Sequence, residues 1–166
     1  RREVDQASAS GRVKAQFSDN AMDTLFVSTD SLGFQTKADV FSFSGHSRIN
    51  QSRMNLIAGT GRYDGATLRV CDSPEIVWSQ PGGEDSVRAA SDSMNVAMDH
   101  LSVQSVSLLS GARLQLSGLR KGIPYTQLIE SDSSEIRIDK GRISLIKAFG
   151  SVRLSFLQED IRIEIP

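Results

Sequence analysis

From Phe17 onward, apolar residues recur at every second position in short stretches. Leu25 and Val27 share a parity with Thr29, and Phe41 shares one with Phe43. Leu68 and Val70 alternate with Arg69 and Cys71. The same step joins Leu101 to Val103, Val106 to Leu108, Leu114 to Leu116, Ile136 to Ile138 and Ile143 to Leu145. It also joins Val152, Leu154 and Phe156, and finally Ile161, Ile163 and Ile165. A step of two puts such side chains on one face of a β-strand. In Ala89–Leu101, Met94 and Met98 lie four apart, as on a helix, but Met94, Val96 and Met98 also alternate and no capping box precedes them. The stretch is therefore predicted as strand. Residues 1–16 are polar and mixed, which predicts a flexible opening segment followed by one domain over residues 17–166.

Turn chemistry punctuates the chain at Asp19-Asn20, Ser44-Gly45, Asp64-Gly65, Pro81-Gly82-Gly83, Ser110-Gly111, Lys121-Gly122, Lys140-Gly141 and Gly150. Short strands at this spacing predict a sandwich, a barrel or a stacked β-structure. The strands fall into four rows, beginning at Thr24, Asn55, Ser86 and Gln127. Three rows carry an Asp-Ser pair: Asp30-Ser31, Asp92-Ser93 and Asp132-Ser133. The second has Gly61-Arg62 at that place. A small residue then breaks each row, at Gly45, Ser73, Gly111 and Gly150. The third row holds an insertion around Gly118–Tyr125. One row cannot bury its apolar face alone, whereas stacked rows can. The Asp-Ser pairs read as structural markers of where a strand begins, with local backbone hydrogen bonds.

Composition narrows the chemistry. The chain has 166 residues, 39% hydrophobic and 23% charged, which suits one globular domain with a real core. A net charge of −1 gives no basic face for nucleic acid. The single cysteine, Cys71, excludes an internal disulfide and reads as a small buried hydrophobe. His46 and His100 with one cysteine make no zinc-spaced set, so no metal is expected. There is no G-x-S-x-G elbow and no phosphate loop, and the scattered carboxylates leave a carbohydrate-active enzyme, which would need a carboxylate pair in a cleft, as the weakest reading. No catalytic residue and no cofactor is predicted. No apolar run approaches the ~18 residues of a membrane span. The chain opens Arg1-Arg2-Glu3 without an initiator Met, which reads as a fragment or processed form that lacks its signal sequence.

The rows resemble the OstA-like family, the periplasmic β-jelly-roll domains of lipopolysaccharide transport, and especially its Bacteroidetes-type members. Asp23-Thr24-Leu25-Phe26-Val27-Ser28-Thr29-Asp30-Ser31-Leu32 is similar to the family's D-T-L-x-x-x-A-D-S-L opening. Ala38-Asp39-Val40 through Phe43-Ser44-Gly45-His46-Ser47-Arg48-Ile49 is similar to its G-x-V-x-I strand, and Ala58–Asp64 to its Y-D element. The scheme returns from Ala90-Ser91-Asp92-Ser93-Met94 to Gly111-Ala112-Arg113-Leu114, and from Glu130-Ser131-Asp132 to Gly150-Ser151-Val152-Arg153-Leu154.

The resemblance covers Phe17 to Leu157 and implies an all-β fold, a curved, open, repeat-built antiparallel jelly roll. It also implies a non-catalytic periplasmic role, with acyl chains of lipopolysaccharide or a related lipid passing along an apolar interior. Partners would be other OstA-like or Lpt components, or further copies of the chain, stacked through exposed edge strands. The inward-facing candidates for such a groove are Phe41, Phe43, Leu68, Val70, Trp78, Leu114, Leu116, Leu145 and Leu154. A groove and a dry core have the same composition, so a ligand-free structural module assembling through edge strands remains the alternative.

Overall fold

The computed structural model describes residues 6–18, 24–35, 40–80, 82, 85–158 and 161–165. Among these residues the chain forms thirteen β-strands and no helix. They are β1 (Gln6–Ser18), β2 (Thr24–Gln35), β3 (Val40–Gln51), β4 (Met54–Tyr63), β5 (Thr67–Cys71), β6 (Glu75–Ser79) and β7 (Ser86–Ala90). Then follow β8 (Ser93–Asp99), β9 (Ser102–Arg120), β10 (Ile123–Asp139), β11 (Arg142–Phe149), β12 (Arg153–Gln158) and β13 (Ile161–Ile165). The pairings are antiparallel, and their branching shows how one sheet becomes two layers.

The first half of β4 pairs with β6, and its second half pairs with β5. Strand β9 likewise divides between β8 and β7, and β10 between β12 and β11. The long strands therefore cross a line of corners from one layer to the other. Sheet I contains the later part of β1, the first part of β2, the end of β3, the start of β4, then β6, β7, the end of β9, the start of β10, β12 and β13. Sheet II contains the complementary halves with β5, β8 and β11. Each sequence row is thus one excursion across the corner line and back. The result is a folded-over antiparallel jelly roll.

The corner line is written in the sequence by two devices. Register shifts mark it between Ser10 and Val13, Ser28 and Ser31, Ser44 and Ser47, and Ser131 and Ser133. A bulge removes ladder partners, so nearby backbone groups need other ones. The buried polar residues Thr29, Ser47, Ser91, Ser131 and Ser134 all sit here. Thr29 Oγ1 donates to the Ser44 carbonyl at 2.9 Å and lies 2.8 Å from Ser47 Oγ. Ser91 Oγ donates to the Ser93 carbonyl at 2.7 Å, and Ser131 Oγ to that of Ser133 at 2.9 Å.

The second device sets an aspartate on one arm of a row over a glycine on the other. Asp30 covers Gly45, and Asp132 covers Gly150, so closely that a side chain on either glycine would overlap the carboxylate. Both glycines also have left-handed φ, +93° and +83°. In the second row the order is reversed: Gly59 comes first and Asp72, from Asp72-Ser73, lies 2.5 Å from where its Cβ would stand. The pair missing at Gly61-Arg62 is therefore present on the return arm. Gly61 has a different reason, since it makes room for the Phe43 ring. The Asp-Ser pairs of β2 and β10 lie mid-strand at corners rather than where strands begin.

Turn signals prove to be of two kinds. Lys121-Gly122 and Lys140-Gly141 close two-residue hairpins with positive φ at both positions, as a type I′ turn requires. Ser44-Gly45, Ser110-Gly111 and Gly150 are corners. The sequence predicts a flexible opening over residues 1–16; instead, Gln6–Ser18 form β1, paired along β2. Its first half, residues 6–12, is exposed and made of small and polar residues, so little hydrophobic contrast marks it. Residues 1–5 and Asp19-Asn20 lie outside the described residues. The Gly118–Tyr125 insertion is the β9–β10 hairpin. Cys71 is exposed rather than buried, on the outer face between Thr60 and Ser93.

Candidate functional site

The space between the sheets is the place where a jelly roll could hold a ligand. Over most of its length it is a filled core. Phe41, Phe43, Leu68, Val70, Trp78 and Leu114 are all buried in one continuous apolar cluster. Met94, Val96 and Met98 enter it from β8, as their alternation predicts. Burial of each large side chain contributes about 1.5–3 kcal/mol. The remaining three groove candidates lie elsewhere. Leu116 packs half-buried against the cluster, and Leu154 is half-buried on β12. Leu145 is 38% exposed and opposite Arg137 on the outer face of sheet II. A bulge on β11 explains this: Ile143 faces Ile138, and Leu145 faces Arg137, so Ser144 is the extra residue and the parity flips. Ile143 and Ile146 take the inward positions.

The N-terminal end of the interior is closed by aromatic rings from both sheets. Phe17 of sheet I stacks on Phe41 of sheet II, with centroids 4.5 Å apart, and meets Phe34 at 5.9 Å. Phe41 in turn contacts Tyr63 at 5.1 Å. A cavity of about 480 Å³ remains beside this cluster, bounded by Met98 and Leu101 and rimmed by Asp99 and His100.

The C-terminal end is open. Inner-face positions continue in register from buried Leu114 through Ile129 and Leu154 to the position of Ile165. A second row runs from Leu116 through Gln127 and Phe156 to the position of Ile163. Ile129, Leu154 and Phe156 are only half-buried. Sheet I carries β12 and β13 beyond β10, whereas sheet II carries only β11, so the far strand of sheet I has no opposite partner among the described residues. The trough therefore has a floor of Leu116, Ile129, Leu154 and Phe156 interrupted by Gln127, and Leu116, Ile129, Ile143 and Ile146 line its junction with the core. Its rim is polar, with Tyr125, Asp85, Arg120 and Gln127 gathered beside Phe156. Tyr125 lies with its ring 6.4 Å from that of Phe156 and its hydroxyl 3.5 Å from Asp85. Burial first, and then the Asp85 charge, push the Tyr125 phenol above its ordinary range. Phe156 shares its parity with Leu154, which was the available signal for it. Ile129 and Ile146 stood outside the alternating pairs that carry the strand prediction.

The outer corner groove carries charged groups among small apolar ones such as Ala90, Ala112 and Val152. About 810 Å³ in volume, it is lined by Asp92, Asp132, Glu130, Arg113 and Arg153. Glu130 pairs with Arg113 at 3.4 Å and Arg153 at 3.9 Å, and Asp132 accepts the Ser151 amide at 3.1 Å. Glu130 with its two arginines and Asp132 with the Ser151 amide tie the corner. Among the described residues no cluster of three metal-ligating side chains occurs.

No family model matches the sequence, and no curated protein matches it. Among solved structures the fold matches the crystal structure of LptH from Pseudomonas aeruginosa, the LptA-homologous periplasmic component of its lipopolysaccharide transport device. The TM-score is 0.60 at 14% identity, over 76% of this chain and 82% of that one. The likeness is one of fold: this chain is an all-β antiparallel LptA-like jelly roll. Among the described residues no helix is long and apolar enough to cross a membrane.

Proposed function

We propose that this chain is a non-catalytic periplasmic bridge module in lipopolysaccharide transport to the outer membrane. The observation that carries the reading is the half-buried trough at the C-terminal end, formed on a jelly roll whose fold matches a transport component. Acyl chains of lipopolysaccharide or a related lipid lie against Leu116, Ile129, Leu154 and Phe156. Each buried CH₂ contributes about 0.8 kcal/mol, and the sugar–phosphate part stays in solvent. Edges at β1, β11 and β13 that have no strand partner among the described residues offer backbone groups to other OstA-like or Lpt components or to a second copy. The row motifs fit Bacteroidetes-type members of the family.

A second reading is favoured by one observation: six of the nine groove candidates are sealed in the core. In that reading the chain is an assembly module without ligand. Titration of a fluorescent lipid A analogue, competed by unlabelled lipopolysaccharide, separates the two. Saturable, competed binding supports the bridge module. Absence of binding by protein that still associates through its edges supports the assembly module.

A further inference from the structure

The mouth between the sheets, opposite the corner line, is held shut by side chains of sheet I and backbone groups of sheet II. Gln51 Nε2 donates to the Leu101 carbonyl. Arg53 Nη1 donates to the Gly141 carbonyl at 3.1 Å, and Trp78 Nε1 approaches the same oxygen at 3.4 Å. In return the Ile143 amide points to Gln80 Oε1 at 3.4 Å. Gln51 ends β3 and Arg53 lies in the turn to β4, so a single hairpin tip engages two opposing turns.

Both opposing turns are two-residue hairpins whose tips meet this contact. Gly141 has φ +73°, and a Cβ there would stand 2.6 Å from Arg53 Nη1. His100 and Leu101 occupy the left-handed region at φ +46° and +62°, a conformation that bulky L-residues disfavour. Leu101 is nevertheless buried, and it borders the aromatic cavity. Arg53 is exposed and Gln51 partly so, so water competes for their hydrogen bonds and each is individually weak. Release needs rotamer changes of Gln51 and Arg53 and the parting of the two longer contacts, Trp78 to Gly141 and Ile143 to Gln80.

Behind the turn lies Trp78, buried, in the inner row that runs through Val87 and Leu116 to Gln127 and Phe156. It stands where the closed core meets the open trough. We infer that the β3–β4 turn is a latch, and that an acyl chain passes from the trough into the inter-sheet space only when Gln51 and Arg53 release Leu101 and Gly141. The inference rests on the lipid reading above for its cargo, but the latch itself is testable without lipid.

Trp78 is the only tryptophan of the chain, so its fluorescence reports the mouth directly. In lipid-free protein the double variant Gln51→Ala, Arg53→Ala is expected to raise acrylamide quenching of Trp78 about two-fold through local opening, while Arg53→Lys stays near wild type. A second arm uses a Cys71→Ser background with Arg53→Cys and Lys140→Cys joined by a short bismaleimide. Photo-probes at Phe156 and Phe43 are then challenged with lipopolysaccharide. The bridge is expected to abolish labelling at Phe43 and spare Phe156, and the double alanine variant to raise labelling at Phe43. Unchanged Trp78 quenching in the double variant overturns the latch. Labelling at Phe43 that ignores the bridge overturns its role in passage. Labelling at neither position refutes the lipid reading and the latch's role in passage, while quenching still decides whether the turn holds the mouth shut.

Discussion

Asp132 closes over Gly150: its carboxylate occupies the space a Gly150 side chain would need and accepts the Ser151 amide at 3.1 Å. Gly150 also has φ +83°. Gly150→Ala is therefore expected to cost about 2–4 kcal/mol, from backbone strain plus displacement of the aspartate. Gly111→Ala should cost less, about 1 kcal/mol, because Asp92 stands 3.8 Å from the new Cβ and only the left-handed φ of +60° opposes it. Urea midpoints of the two variants check the order, and equal midpoints would remove the aspartate clasp as a stabilising device.

The buried hydroxyls of the corners predict a different effect. Thr29→Val keeps the shape but removes the donor to the Ser44 carbonyl and one of the two partners of the Ser47 hydroxyl, which retains the Gly45 carbonyl. The expected loss is about 1–3 kcal/mol. Denaturant unfolding of Thr29→Val beside Thr24→Val, a position at the rim of sheet I, measures it. A neutral Thr29→Val would mean that water fills the corner.

The Asp30 corner adds a pH dependence. The His46 backbone amide, at 3.0 Å, and then the His46 ring hold the Asp30 carboxyl below its ordinary value, against a small opposing effect of desolvation. A lowered folded-state value contributes stability that is present above the unfolded value and lost as pH falls through the folded one. The wild type should thus lose this contribution only below about pH 4. Asp30→Asn should flatten that part of the acid unfolding curve. An unchanged curve would contradict the pairing.

How far the fold was legible depends on contrast. Leu25/Val27, Phe41/Phe43 and Leu68/Val70 stand among polar neighbours, and each pair is buried on one face as its parity predicts. Strand β1 lacked that contrast, because Ala7, Ser8, Ala9 and Ser10 differ too little to show a face. Leu145 was misplaced by a bulge, which shifts parity by one residue without leaving a composition signal. The aspartate–glycine clasp was half visible: three Asp-Ser pairs stood in phase, but Asp72 acts from the return arm, and only the pairing of β4 with β5 brings it to Gly59. The open trough was the least legible, since Leu154 at its floor and Leu114 in the core are the same residue type in the same pattern.

Core and outer positions separate cleanly in mutation. Phe41→Ala removes a buried ring that touches Phe17, Phe43 and Tyr63, and should cost about 3–5 kcal/mol. Leu145→Ala, on the outer face, should stay within about 0.5 kcal/mol of wild type. Thermal unfolding of both variants tests the burial assignment, and a large loss at Leu145 would reverse the parity of β11.

The central claim is that the C-terminal trough holds an acyl chain. A photo-reactive phenylalanine analogue at Phe156, compared with one at Leu145 on the outer face of β11, tests it most directly. Lipopolysaccharide should label Phe156, unlabelled lipid should compete the label away, and Leu145 should remain unlabelled. A folded protein that shows no competed label at Phe156 would contradict the account.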